Sequence, residues 1–212
     1  MTASSREEVL GRIRGALAGA GDAPGAIPRD YRSAAGMDPA EALDRLSERL
    51  RDYGCRVRRV TAGEVPDTVA AALAERGARR MVVPPGLEPG WLPSPPPETE
   101  FITDDGLTPA ALDSLDGVIT GAALAIAETG TIVLDAGPGQ GRRMLTLIPD
   151  YHLCLLRAGQ VAGLVPEAIS RLRPGQPLTW ISGPSATADI ELSRVEGVHG
   201  PRTLDVILIA DA

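Results

Sequence analysis

The residues best suited to chemistry lie in glycine-containing turns of the second half of the chain. Residues 197–201 form one such turn, which holds His199, one of the two histidines in the chain. Histidine changes charge near neutral pH, so His199 is a candidate acid, base or hydrogen-bond donor to an anion. The alternative is that its ring only braces the turn by hydrogen bonding to nearby backbone.

A second turn begins at Gly183, after an apolar run that reads as a buried strand. We expect the chain to start a helix here. Free amide groups at a helix N-terminus, together with the hydroxyls of Ser185 and Thr187, would bind an anion. We include Gly183 and Asp189 among the candidate ligand contacts. The alternative is that Ser185 or Thr187 is only a helix N-cap.

A third turn lies between two short apolar runs, at residues 127–131. Gly130 supplies the permissive backbone that a tight turn needs. Glu128 is either a solvated turn carboxylate or a catalytic carboxylate, and we include Thr129, Gly130 and Thr131 among the candidate ligand contacts.

Arginine is the expected partner of any anionic ligand, because all 21 basic residues are arginine. The absence of lysine excludes Schiff-base chemistry, a pyridoxal-phosphate lysine and a Walker A lysine. Arg142 and Arg143 are the best candidates for binding a carboxylate, since they follow the flexible glycine-containing turn 137–141.

The two cysteines are predicted to be buried small hydrophobic residues. His152 and Cys154 lie on one face of a predicted strand, and with Cys55 and His199 they would in principle make a Cys₂His₂ set. The CxxC and HxxxH spacings typical of zinc sites are absent. We therefore expect no metal.

The net charge of −7 and the pI near 4.9 argue against nucleic-acid binding, which needs a basic face. No apolar run approaches the roughly 20 residues that span a bilayer. Charged residues interrupt residues 6–14, so no signal peptide is expected there. A cytoplasmic protein is the expectation.

Hydrophobic periodicity predicts alternating helices and strands. The predicted helices are residues 5–20, 38–54, 67–76, 109–114, 166–172 and 188–193. The predicted strands are residues 55–60, 81–83, 101–103, 117–119, 124–127, 131–134, 151–156, 178–182 and 204–210. This order indicates an α/β fold with a mainly parallel open sheet and helices on both faces. In such sheets, ligands bind beyond the carboxyl ends of the strands.

The organisation predicted along the chain is an N-terminal helix and linker, residues 1–37, followed by one α/β domain, residues 38–212. We expect the N-terminal helix either to dock on the domain or to bind a neighbouring chain in a homodimer. A proline-rich loop at residues 84–97 is either disordered or a functional lid.

The three turns, taken with their order and spacing, resemble the LUD-domain family of lactate utilization proteins. The matching runs are residues 127–131, 183–191 and 197–201, and the resemblance extends from about residue 117 to residue 209. It implies a fold of the NagB/RpiA/CoA-transferase-like type and a role in the oxidation of L-lactate to pyruvate. It also implies iron–sulfur partner proteins and a small anionic ligand.

The residues themselves indicate no intrinsic cofactor. Two cysteines cannot ligate a cluster that normally needs four, and the dinucleotide fingerprint GxGxxG is absent. An accessory or ligand-binding subunit is therefore expected. Whether the chain is an enzyme stays open. One alternative is an enzyme acting on a CoA ester or phosphorylated small molecule, with Glu128 as nucleophile and His199 as acid or base. The other is a regulatory module without chemistry.

Overall fold

The computed structural model describes residues 5–19, 27–94, 98–173, 175–188, 194–196 and 199–210. The chain divides into two compact units, Met1–Tyr31 and Arg32–Ala212. The first unit holds the helix α1 (Ser5–Leu17). The second unit holds every strand described below. The predicted boundary between residues 37 and 38, and the docking or dimer role of α1, stay predictions.

The second unit is built on a six-stranded, wholly parallel sheet with the order β1-β12-β7-β4-β2-β3. Its strands are β1 (Arg56–Thr61), β2 (Arg80–Val83), β3 (Glu100–Thr103), β4 (Gly117–Thr120), β7 (Tyr151–Arg157) and β12 (Thr203–Ala210). The central strands β7 and β12 consist almost wholly of buried residues. Such continuous apolar strands are typical of a parallel sheet covered on both faces.

One face of this sheet packs on α3 (Val65–Arg76), whose Val69 and Leu73 contact the strands. The other face packs on α2 (Pro39–Asp52) and α4 (Pro109–Asp113). Helix α2 begins where the Asp38 carboxylate accepts the Glu41 N–H at 2.8 Å, with proline at the first helical position. The α/β fold with helices on both faces is confirmed.

A second sheet, of four strands in the order β8-β5-β6-β9, lies on the α2 side. Its strands are β5 (Leu124–Ile126), β6 (Thr131–Leu134), β8 (Val161–Ala162) and β9 (Thr179–Ile181). β5 and β6 form the predicted hairpin. Helix α5 (Val165–Arg171) covers the far face of this sheet through Ala168.

The prediction of a helix at residues 188–193 is wrong at Ala188, the residue of this range that the structure describes. Ala188 is the last residue of β10 (Ala186–Ala188), which pairs antiparallel with β11 (Arg194–Glu196). Residues 189–193 lie outside the described residues. A strand here means that the turn at Gly183 leads into a hairpin, so it offers no helix N-terminus for an anion.

Candidate functional site

At Gly121, directly after β4, the carboxyl edge of the six-stranded sheet is closely packed by the chain itself. The Gly121 N–H at the end of β4 donates to the Gly139 carbonyl at 2.8 Å, and the Gly139 N–H donates to the Pro85 carbonyl at 3.0 Å. The Trp91 ring lies against Gly121 and under the Arg157 guanidinium, 5.3 Å from the ring centroid. A depression of about 380 Å³, lined by Ala123, Gly159 and Gln160 among others, lies beyond the carboxyl ends of β4 and β7, so the expectation of a ligand site at this edge stays a prediction.

The cavity at which predicted site residues converge has a volume of about 210 Å³ and lies at the amino ends of β7 and β12. It is closed by three parts of the chain: the first residues of these two strands with the turns before them, strand β9, and the turn after β9. Its lining residues are Arg143, Thr146, His152, Thr179, Trp180, Ile181, Ser182, Gly183, Pro184, Ser185, His199, Gly200, Pro201 and Leu204. Four of the predicted site residues, Arg143, Gly183, Ser185 and His199, thus meet at one cavity.

The turn at Gly183 is fixed from both sides. Gly183 has a φ of +86°, and a Cβ added there would lie 2.7 Å from the Cβ of Tyr53 at the end of α2. On the other side, the Ser185 N–H donates to the Pro201 carbonyl at 2.8 Å, and the His199 N–H donates to the Ser185 hydroxyl at 3.1 Å. Ser185 and His199 are therefore held together, with His199 exposed at the cavity rim.

His152, the second residue of β7, is almost completely buried, with 1% of its surface exposed. Its Nε2 lies 2.7 Å from the Thr120 hydroxyl, which is the only hydrogen bond of this ring among the described residues. Burial lowers the pKa of His152 to about 4, so the ring is neutral at pH 7. A neutral ring that lines the cavity and leaves Nδ1 without a partner is suited to bind a ligand.

The two neighbouring arginines are placed differently. Arg142 makes a two-pronged ion pair with Asp104, at 2.7 Å and 2.8 Å, and also donates to the Leu107 carbonyl. Arg142 is therefore bound within the fold and does not line the cavity. Arg143 lines the cavity and donates to the Thr146 carbonyl at 3.1 Å. Among the described residues, no carboxylate pairs with Arg143.

The turn between β5 and β6 contacts the cavity only indirectly. The hydroxyls of Thr129 and Thr131 lie 2.8 Å apart, and Thr131 lies 2.9 Å from the hydroxyl of Ser182, which lines the cavity. Glu128 is not part of the described lining, and its carboxylate pairs with Arg32. Gly130 packs on α2, where a Cβ would lie 2.6 Å from that of Arg49.

Two further predicted contacts are not placed at the cavity. Thr187 lies in β10, paired with Val195 of β11. Asp189 lies outside the described residues. Sequence reasoning missed Thr120, Thr146 and Ser182 as cavity residues or supports, and considered His152 only as a metal ligand. A histidine within the apolar run of β7 was the available signal.

Both thiols are buried, as predicted, with 5% of Cys55 and none of Cys154 exposed. Burial raises the pKa of each thiol to about 12. In the described part of the chain, no three His, Cys, Asp or Glu side chains come together to hold a metal ion. No helix in that part has the length and apolar character that a membrane crossing requires.

Sequence reasoning also missed a charged cluster on the α3 face of the sheet. Asp205 of β12 is completely buried and binds the Arg76 guanidinium at 2.9 Å and the Tyr151 hydroxyl at 3.2 Å. The Arg76 guanidinium also lies over the Tyr151 ring, 5.6 Å from its centroid. This cluster joins α3 to β7 and β12 and lies on the face opposite to that of His152.

The fold and cavity define an α/β protein with a cavity at the amino edge of a parallel sheet. A protein-family model described as the LUD domain matches residues 106–209. The chain is 45% identical over 213 residues to lactate utilization protein C of Deinococcus radiodurans, covering 98% of this chain and 97% of that protein. The chain belongs to the LUD-domain family.

Two further comparisons agree with this assignment. The chain is 37% identical over 94 residues to the uncharacterized protein YkgG of Escherichia coli, covering 41% of this chain and 40% of that protein. A crystal structure of a DUF162 family protein from Deinococcus radiodurans matches with a TM-score of 0.70 and 41% identity, covering 82% of this chain and 99% of that one.

Proposed function

We propose that this protein is an accessory, ligand-binding subunit that supports the oxidation of L-lactate to pyruvate together with iron–sulfur partner proteins. The names of its relatives support the pathway. The two cysteines support the accessory role, because both are buried and neither is available as an external cluster ligand. The amino-edge cavity is the proposed ligand site.

The observation that carries the ligand-binding role is the chemistry of the cavity wall. Among the described lining residues, Arg143 is the one permanently charged group, and no Asp or Glu is present. The wall adds the hydroxyls of Ser182 and Ser185 and a buried imidazole, one nitrogen of which has no hydrogen-bond partner in the described part of the chain. In a protein with a net charge of −7, such a local surface favours a small anion. A volume of about 210 Å³ suits a small metabolite, since drug-sized ligands occupy roughly 300–1,000 Å³.

Thermal unfolding with candidate ligands tests this site. We expect lactate or pyruvate to raise the Tm, whereas CoA, acetyl-CoA, ATP and phosphate leave it unchanged. A ligand at about 100 times its Kd stabilises by about 2.7 kcal/mol, which corresponds to a rise of several degrees. Arg143→Gln should abolish the rise. Arg45→Gln is the matched control, because Arg45 is an exposed α2 residue that only pairs with Glu48.

Co-purification from cells tests the accessory role. The tagged chain should retain iron–sulfur proteins whose absorbance shows bound clusters, and the complex should oxidise lactate when the separate components do not. A chain that elutes free of such proteins under every buffer and salt condition would overturn the accessory role, while leaving the ligand experiment unaffected.

The alternative, an enzyme of CoA-transferase-like fold with Glu128 as nucleophile, lacks geometric support. The Glu128 carboxylate pairs with Arg32 and is 41% exposed, and it is absent from the described lining. A competent carboxylate nucleophile needs partial removal from water. If CoA or acetyl-CoA raised the Tm and Glu128→Gln removed turnover of a CoA ester, this alternative would replace our proposal.

A further inference from the structure

The buried histidine of the cavity is held by a hydrogen bond whose direction can be worked out. Thr120, the last residue of β4, is completely buried, and its hydroxyl contacts His152 Nε2 at 2.7 Å. Either Nε2 carries a proton and donates it to the hydroxyl, or the hydroxyl donates to an unprotonated Nε2. Only the second arrangement gives the Thr120 hydroxyl hydrogen an acceptor.

Other acceptors for the Thr120 hydroxyl hydrogen are poor. Among the described residues, His152 is the only hydrogen-bond partner of the Thr120 side chain that meets ordinary geometry. The Cys154 thiol also lies beside Thr120, but sulfur is a weak acceptor. A buried hydroxyl hydrogen without an acceptor is costly, so the fold favours donation from Thr120 to Nε2.

Donation to Nε2 places the ring proton of a neutral imidazole on Nδ1. This nitrogen has no partner among the described residues, and the ring lines the cavity. We infer that Thr120 sets His152 as a neutral Nδ1–H donor, and that this donor selects a short α-keto carboxylate over the corresponding α-hydroxy acid. This inference rests on the proposed function, because it concerns the ligand of the same cavity.

The chemical basis of the selection is the difference between two oxygens. A keto oxygen only accepts hydrogen bonds, so it matches a fixed N–H donor. A hydroxyl oxygen also accepts, but its own hydrogen then needs an acceptor; the described lining offers side-chain hydroxyls and no carboxylate, and a neutral acceptor makes a weaker hydrogen bond than a charged one. The carboxylate, common to both acids, binds Arg143 in either case. The site thus favours the oxidised member of the lactate–pyruvate pair.

The position of the proton can be measured without any ligand. The chain has two histidines, so in the His199→Gln variant the ring nitrogens of a ¹⁵N-labelled sample belong to His152 alone. We expect NMR to show a proton on Nδ1 and none on Nε2 at pH 7. A proton on Nε2 would overturn the inference, whatever the binding data show.

Binding measured by calorimetry tests the selection, with pyruvate, lactate and propionate as probes. We expect pyruvate to bind more tightly than lactate, and lactate more tightly than propionate. Thr120→Val should weaken the binding of pyruvate about tenfold, as expected for the loss of about one hydrogen bond. The affinity for pyruvate should then no longer exceed that for lactate. Thr120→Ser keeps the hydroxyl and should restore the order.

Thr99→Val is the matched control for Thr120→Val. Thr99 is also buried, and its hydroxyl donates to the Ala78 carbonyl at 2.8 Å outside the cavity. The Thr99→Val variant should leave the order of affinities for the three carboxylates unchanged. Equal affinities for pyruvate and lactate in the wild type would overturn the inference and leave the proposed function standing. If no carboxylate bound and Nδ1 were protonated, the proposed ligand site would be wrong, and the ligand selection with it.

Discussion

Arg142 and Arg143 are adjacent in sequence and have opposite roles. The Arg142 guanidinium donates hydrogen bonds to Asp104 and to the Leu107 carbonyl. These bonds connect the residues after β3 to the segment before β7. Arg143 points its charge to the cavity. The sequence places both after the same turn, and the position of Asp104 separates an arginine bound within the fold from one that lines the cavity.

Asp104→Asn should destabilise the protein by about 1–3 kcal/mol at pH 7, because it removes a charged acceptor from a guanidinium. The Tm should fall by about 2–4 °C per kcal/mol. The Arg142 guanidinium holds the pKa of Asp104 below its usual range. The stabilisation is therefore complete above the unfolded pKa, near 4, and is lost as pH falls through the folded pKa.

Calorimetric unfolding of both proteins at pH 7, 4 and 3 checks this prediction. The difference in Tm between wild type and Asp104→Asn should shrink toward low pH. Asp113→Asn is the control, since Asp113 is exposed on α4. A constant difference between pH 7 and pH 3 would show that the ion pair is not the cause.

At the scale of elements, the cavity depends on how the turn after β9 is supported by α2. Gly183 and Gly130 both pack on the end of this helix, Gly183 on Tyr53 and Gly130 on Arg49 and Tyr53. The hydroxyl chain from Thr131 to Ser182 joins the two turns a second time. One helix end thus positions two turns that are far apart in sequence.

Gly183→Ala should lower both stability and ligand affinity, because a Cβ would collide with Tyr53 at a φ of +86°. Gly175→Ala is a matched control: its φ is +85°, but a Cβ there would meet nothing within 4 Å. The control should show only the cost of a left-handed alanine, about 1 kcal/mol. Equal losses of Tm in the two variants would contradict the packing role of Tyr53.

Much of the fold is predictable from local pattern, and the site only in part. The apolar runs of β7 and β12 predict buried strands. Gly183, Ser185 and His199, which the turns predict as candidate site residues, line the same cavity. The stretch at residues 188–193 has residues that favour helices, but Ala188 pairs with Arg194 between two antiparallel strands, and this pairing overrides the helical preference of Ala188. The position of the cavity at the amino ends of β7 and β12 depends on strand order, which the spacing of residues along the chain does not encode.

At the scale of the whole molecule, the two thiols report on the integrity of the core. Cys55 and Cys154 belong to the same hydrophobic cluster, with α2, the small sheet and the central strands. We expect neither thiol to react with Ellman's reagent in the folded protein, since burial raises both pKa values to about 12 and excludes the reagent. In denaturant, two thiols per chain should react.

The rate of this reaction should follow global unfolding as urea is increased, because both thiols become exposed only when the core opens. The Cys55→Ser variant should show the same behaviour with one thiol. Fast reaction of one thiol in the native state would mean that part of this cluster opens on its own.

The two tryptophans of the chain lie at opposite edges of the parallel sheet. Trp180 is 42% exposed at the cavity, while Trp91 is half-buried against Gly121 and Arg157. Indole emission shifts to longer wavelength as water reaches the ring, so the two tryptophans should differ in emission maximum as well as in position. Replacing either with phenylalanine leaves a single natural probe. Ligand entry at the amino edge and movement of the loop over the carboxyl edge then become separately visible in an unlabelled protein.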